Sequence, residues 1–291
     1  MPDPTKQTIS ASQSSALLNA NPYYTRWMLY HHFANGMDLG CEENDRIREG
    51  RRMQPLVLER AAAELRLAVE PNEHDVYVRN GLLGATRDAV IICPDRGPGA
   101  LETKCVFDYQ QWMTEWDGGR RVPPHVEIQL QQQMMVGDGA EPFAWGVICV
   151  WVAAAHYYFE RTPAESLWVR LRSEASAFFG DVAATREPDP FGLTVEMGWL
   201  EELYPTVPHK TLDLRDDEAA ELFTRKAAIY LRTKTAERLN GKVAESLRAE
   251  FKALAKDNET VLLPGNAVVK WGARNRLKVT VPGGDGGSED E

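Results

Sequence analysis

The 291-residue chain has no excess of positive charge: 33 Lys and Arg stand against 43 Asp and Glu, a net −10. Taken alone, that balance argues against a nucleic-acid partner. Cysteine is scarce. Cys41, Cys93, Cys105 and Cys149 form no C-x-x-C pair, a spacing that favours reduced cytosolic thiols over a disulfide framework, a zinc site or an iron–sulfur staple. With 17 Pro, 22 Gly and 43% hydrophobic residues, the composition is neither disordered nor fibrous. No apolar run has membrane-spanning length. The nearest, residues 143–159, is short, contains Gly146 and His156 and is rich in β-branched and aromatic residues, so it reads as one or two buried strands. Residues 1–13 lack the apolar segment of an export signal, and a cytoplasmic, membrane-free location is expected.

What is present reads as an α+β chain. A short helix is expected over 13–18, stopped by Asn21-Pro22, then a second over 26–33. A third spans 45–67, with Ile47, Leu56, Val57, Ala61 and Leu65 near helical spacing and Gly50 and Pro55 as points where it could split. Its other face carries Arg46, Arg48, Arg51, Arg52, Arg60 and Arg66, which equally suits a solvated surface. Strands are expected over 74–79 and 88–93, then a dense turn at 94–99 and a partner strand over 100–107. A helix over 124–136 follows from Val126, Leu130 and Met134 at intervals of four. Residues 162–213 read as irregular, 216–256 as a long helical pattern with a break at Asn240-Gly241, and Gly265-Asn266 as a turn between short strands. The expected division is a core over 1–213, a helical extension with short strands over 214–282, and a disordered acidic tail over 283–291.

The chemistry-bearing pattern is Gly84-Ala85-Thr86-Arg87-Asp88, the turn, and Glu102-Thr103-Lys104. Glu102 and Lys104 are two apart on a strand and emerge on one face. The hairpin can bring Asp88 toward that face, whereas Asp95 sits in turn chemistry, so Asp88 is the preferred first acid. Two carboxylates and a lysine at a sheet edge can hold a hard divalent cation through oxygen and position an attacking water on a phosphodiester. On spacing alone, the same E-x-K would also serve as an ion pair on an ordinary surface strand.

Several segments occur in order: Ile9-Ser10-Ala11-Ser12, Leu17 to Tyr23, Gly84 to Asp88, Leu101 to Cys105, and Gln129-Leu130-Gln131-Gln132-Gln133-Met134 with Gly137. Together they resemble the lambda-exonuclease and YqaJ-type viral recombinase family of PD-(D/E)-x-K nucleases. The resemblance implies a restriction-endonuclease-like core with a central mixed sheet flanked by helices. It implies Mg²⁺, with Mn²⁺ able to substitute, held by Asp88, Glu102 and the Thr103 carbonyl, with Lys104 at the attacking water or scissile phosphate and Gln129 orienting the site. Ser12 and Thr86 fall where the family uses hydroxyls near a 5′ phosphate, although helix capping and turn bonding would also explain them. Arg26, Arg51 and Arg52 are further candidates for DNA contact. The implied activity is one-strand, 5′ to 3′ degradation of double-stranded DNA ends in phage-type recombination, in the cytoplasm of a bacterium or phage-infected host. The implied partners are a single-strand annealing protein and further copies of the chain, a trimeric ring among the options. A structure-specific or restriction-type endonuclease, or a degenerate DNA-end-binding scaffold, remains an alternative.

Two departures bear on that transfer. Relatives have a glutamate where this chain has Gln54, a weaker ligand for a hard cation, so that Glu49 or Glu59 would have to substitute or a second metal would be loosely held. The family's upstream arginine falls near Thr5 and Lys6, and Lys6 can act only as a point charge. Tyr23, Tyr24 and Trp27 would serve either as core or as rings that stack on bases. The net charge also divides unevenly: residues 225–282 carry a net +8, making Arg232, Lys234 and Arg238 candidates for a DNA path.

Overall fold

The computed structural model of the protein describes residues 7–39, 44–72, 75–215, 217–235, 241–271 and 277–280. Lys6, Cys41, His74, Asp216, Arg238, Asn240 and the 283–291 tail, on which expectations were placed, lie outside them. The chain divides into two compact units, residues 1–188 and 189–291.

The first unit runs β1 (Ile9–Ser10), α1 (Ser14–Leu17), α2 (Arg26–Asn35), α3 (Asp45–Leu65), β2 (Ala68–Pro71), β3 (Tyr77–Asn80), β4 (Leu83–Thr86), β5 (Ala89–Cys93), β6 (Gly97–Val106), α4 (Tyr109–Glu115), α5 (Pro124–Val136), β7 (Gly146–Val152), β8 (Ala155–Arg161) and α6 (Glu165–Ala183). Its main sheet has the order β2-β5-β6-β7-β8. The sheet is mixed, because β6 and β7 are parallel and every other pair is antiparallel. A small sheet, β1-β4-β3, lies beside it in sequence order and pairs β1 parallel to β4.

Strand alternation builds the layers. Ala100, Ile148 and Val150 pack with Leu130 and Met134 of α5 and with Leu171, Ala175 and Phe178 of α6. Ala89, Ile91, Leu101, Val147 and Cys149 point the other way, onto Val57, Leu58 and Ala61 of α3. Both faces of the central strands are therefore covered, which is why residues 146–152 read as a nearly continuous apolar run. Burial of a side chain such as Leu130, at 0% exposure, contributes about 1.5–3 kcal/mol.

Local chemistry sets the helix ends. Asn44 caps α3 by accepting from Ile47 N at 3.0 Å. The helix runs unbroken through Pro55, where both Pro55 and Arg51, whose carbonyl loses its donor, are exposed to solvent. Pro124 opens α5 and Gly137, at φ 55°, closes it. A Cβ on Gly137 would stand 1.8 Å from the Glu141 carbonyl oxygen, so only glycine fits that turn.

The second unit contains α7 (Met197–Leu203), β9 (Val207–Asp213), α8 (Ala219–Thr235), α9 (Gly241–Ala255), β10 (Asn258–Leu263), β11 (Ala267–Trp271) and β12 (Leu277–Thr280). Its sheet has the order β12-β11-β10-β9. β9 and β10 run parallel, with α8 and α9 as the crossover, and Phe223, Tyr230, Phe251, Val261 and Trp271 form the core.

Two expectations change. Residues 162–213 are not irregular, since they contain α6, α7 and β9. The division falls after residue 188 rather than after 213, because β9 takes its hydrogen bonds from β10. Among the described residues, no helix is long and apolar enough to cross a membrane.

Candidate active site

The β5–β6 hairpin is the frame of the site. Ala89 pairs with Leu101 and Cys93 with Gly97, so one step beyond Ala89 the register sets Asp88 across from Glu102, with both side chains on one face. Asp95, at the turn, is at the other end of the hairpin. Asp88 Oδ2 accepts from Thr103 N at 2.7 Å and from Thr103 Oγ1 at 2.6 Å. Lys104, two residues past Glu102, turns back on the same face and donates from Nζ to Glu102 Oε1 at 2.5 Å and to Gln129 Oε1 at 3.1 Å.

Helix α5 closes the cluster from above. Gln129 Nε2 donates to Glu102 Oε1 at 2.7 Å, and Gln133, one turn on, donates to Glu102 Oε2 at 2.5 Å. Both Glu102 oxygens are thereby held, in a residue only 2% exposed. Gln133 was not singled out from the sequence; its spacing of four from Gln129 was the available signal, since i and i+4 share a helix face. His125, one turn before Gln129, continues the stripe and was likewise not singled out.

The electrostatics follow from packing like charges together. Burial, and then the charge of Glu102, push the Asp88 carboxyl up to about 7, against the pull of Lys104 and the Thr103 bonds. For Lys104, burial works against the charge, but Glu102 and Asp88 outweigh it and hold the ammonium above its ordinary value. Burial and the Lys104 charge push His125 down to about 4, so it is neutral at pH 7.

A cavity of about 430 Å³ opens beside Asp88, lined by Arg51, Gln54, Glu59, Asn72 and Asp75 among others. Glu59, rather than Glu49, is therefore the α3 carboxylate that shares this space with Asp88 and Gln54. Glu49 instead faces Arg52 at 3.6 Å on the exposed side of the helix.

The remaining candidates are placed unequally. Ser10 pairs with Gly84 in the parallel β1–β4 ladder, so Ser12 and Thr86 each follow that pair by two residues, at the same end. Gln132 fastens this ladder to α5 by donating to Ile9 O at 2.9 Å and Gly84 O at 2.8 Å. Arg26 is drawn to α6, with Glu174 at 2.6 Å and Asp181 at 3.7 Å, and is not brought to the Asp88 cluster by any of these bonds.

The donor set suits a hard divalent cation in chemistry if not in number. All its ligand atoms are oxygen, and two carboxylates, Asp88 and Glu102, stand against the single charge of Lys104. Among the described residues, however, no group of three or more His, Cys, Asp and Glu side chains could hold a metal.

The profile of the YqaJ-like viral recombinase domain matches residues 5–160, more than half of the chain. The chain belongs to this family. Its YqaJ-like domain ends with β8, so that every element holding the cluster lies inside it. No curated protein matches the chain. Among solved structures, an alkaline exonuclease from Laribacter hongkongensis is similar at 16% identity and a TM-score of 0.49, over 62% of this chain and 90% of that one. The same enzyme in complex with dAMP gives 16% and 0.49 over 67% and 92%. A phage-related exonuclease from Haemophilus somnus 129PT gives 13% and 0.47 over 59% and 91%.

Proposed function

We propose that the protein is a divalent-metal-dependent deoxyribonuclease that degrades one strand of double-stranded DNA from its ends, 5′ to 3′, and leaves single-stranded DNA for an annealing partner. The observation that carries this reading is that Glu102, Lys104 and Gln129 are joined by hydrogen bonds, with Asp88, held by Thr103, across the β5–β6 hairpin from Glu102, in a YqaJ-like domain. Asp88, Glu102 and the Thr103 carbonyl would hold Mg²⁺, or Mn²⁺ in its place, with Gln54 or Glu59 from the neighbouring cavity. When bound, the cation supplies Lewis-acid polarisation of the phosphodiester.

The chain's own residues do the rest. Gln129 and Gln133 fix the rotamer of Glu102, so its oxygens need no reorganisation when substrate arrives. Lys104, kept protonated by the two carboxylates, places a positive charge where the phosphate gains negative charge. Gln129 holds the Lys104 ammonium in that direction. Ser12 and Thr86 offer hydroxyls to a 5′-terminal phosphate, and Arg51 and Arg52 offer charge to the backbone. Assembly as a homo-oligomer, a trimeric ring among the options, would enclose the DNA.

The test is a time course on linear duplex labelled separately at each 5′ and 3′ end, with and without Mg²⁺, beside covalently closed circular duplex. Mg²⁺-dependent early loss of the 5′ label with the circle untouched is expected. Cutting of the circle would favour the endonuclease reading, and end binding without hydrolysis in Mg²⁺ or Mn²⁺ would favour the scaffold.

A further inference from the structure

The aromatic run near the N-terminus is divided by the fold. Trp27 is 1% exposed and donates to Glu187 Oε1 at 2.9 Å, and Tyr24 packs against the main core. Tyr23 is 52% exposed. Its ring stands edge-on to His125, with centroids 5.8 Å apart and planes at 90°. His125, Gln129 and Gln133 form one stripe on α5, and the lower two hold Lys104 and Glu102. The N-terminal turn of the stripe thus carries the aromatic pair on the Lys104 side of the cluster, where both rings lie within reach of its charge.

The Tyr23 backbone is fixed as well. Buried Asn21 accepts from Tyr23 N at 2.8 Å and Tyr24 N at 3.0 Å through Oδ1, while its Nδ2 donates to Ser12 O at 3.0 Å and Ser15 Oγ at 2.9 Å. One side chain therefore ties the turn presenting Tyr23 to the turn presenting Ser12. An exposed ring, held rigidly beside the Lys104 ammonium and backed by a neutral imidazole, offers stacking area for a nucleobase without adding charge.

We propose that Tyr23, backed by His125, is an aromatic subsite that stacks on the base of the terminal nucleotide of the strand being cut. This rests on the nuclease reading above. The test uses the full chain bound to duplex carrying 5-iododeoxyuridine at the 5′-terminal position, irradiated in EDTA so that no hydrolysis is needed. The crosslinked peptide is expected to contain Tyr23, the crosslink to persist in Tyr23→Phe and to disappear in Tyr23→Ala. In Mg²⁺, Tyr23→Ala should raise KM for linear duplex about tenfold, with the loss falling on KM rather than kcat, and Tyr23→Phe should restore it. A crosslink mapped elsewhere, no crosslink from bound DNA, equal yield in Tyr23→Ala, or an unchanged KM would overturn the subsite. Absence of hydrolysis by the unmutated protein would instead overturn the nuclease reading, since the crosslink does not depend on it.

Discussion

Each unit buries part of a lysine, and the two lysines are held in opposite ways. Lys104 lies between Glu102 and Gln129, and its carboxylate neighbours raise its pKa despite burial. Lys252, in α9, is 1% exposed, donates to the neutral Thr206 Oγ1 at 3.0 Å and lies 5.6 Å from the Trp271 ring centre. There burial outweighs Glu201 and Asp257, and the pKa falls. A lysine surrounded by carboxylates is a poised charge that a phosphate can use. A lysine closed into an apolar core is packing with a polar tip. The lesson extends to α5, where Gln133 serves Glu102 while Gln131, two residues earlier, accepts from Ala164 N and Trp168 Nε1, both at 2.9 Å, and so anchors the start of α6.

The largest contrast is expected from matched lysine substitutions. Lys104→Met should lower Mg²⁺-dependent hydrolysis roughly 100-fold or more with the fold intact, whereas Lys252→Met should leave hydrolysis unchanged and Tm equal or higher, because an apolar side chain replaces a buried charge. Equal activity in the two variants, followed by product release on gels, would erase the distinction. Next, Gln133→Ala should cost activity on the order of 10-fold to 100-fold by freeing a Glu102 oxygen. Gln131→Ala should instead spare kcat and lower Tm, since the buried Trp168 indole loses its acceptor, at about 1–3 kcal/mol, and the half-buried Ala164 N–H loses the same one.

A smaller effect is expected from pH. Asp88 stays protonated in the fold up to about 7, well above its ordinary value, so the folded state binds the extra proton and loses stability as pH rises from about 4 to about 7. Asp88→Asn should therefore raise Tm above pH 7 and leave it unchanged below pH 4. Added Mg²⁺ should raise Tm of the unmutated protein at pH 8 but not of the variant. Thermal melts across pH check both signs. The smallest effect is expected from neutralising Arg232, Lys234 and Arg238 together, which should flatten the salt dependence of DNA binding. Part of the charge counted in this region is spent internally, as Lys226 pairs with Glu250 and Lys252 is buried.

Where the fold is governed by near neighbours in sequence, it was legible. The 124–136 helix has the expected bounds, with Pro124 and Gly137 marking its ends, and the 143–161 run is two strands. The Asp88–Glu102 approach followed from a hairpin whose turn residues are explicit. Distant partners hid the rest. α6 has no side-chain cap of its own, and the N–H of the residue before it, Ala164, instead donates to Gln131, 33 residues earlier. Its inward face also includes small residues such as Ala175, which dilute the apolar period. β9 is paired by β10 across two helices, so no local signal assigned it to the second unit. The helix expected over 45–67 is not split at Gly50 or Pro55, and Arg51 and Pro55 both lie on its exposed side. At the site, Lys104 and the two acids were legible from spacing, while Gln133 and His125 needed the α5 stripe to be laid against β6.

The central claim is that the Asp88 cluster performs the chemistry, and the most direct measurement is Mg²⁺-dependent degradation of end-labelled linear duplex by Asp88→Ala, shown to be folded by circular dichroism. Product release at the level of the protein-free blank is the expected result; activity equal to that of the unmutated protein would contradict the assignment.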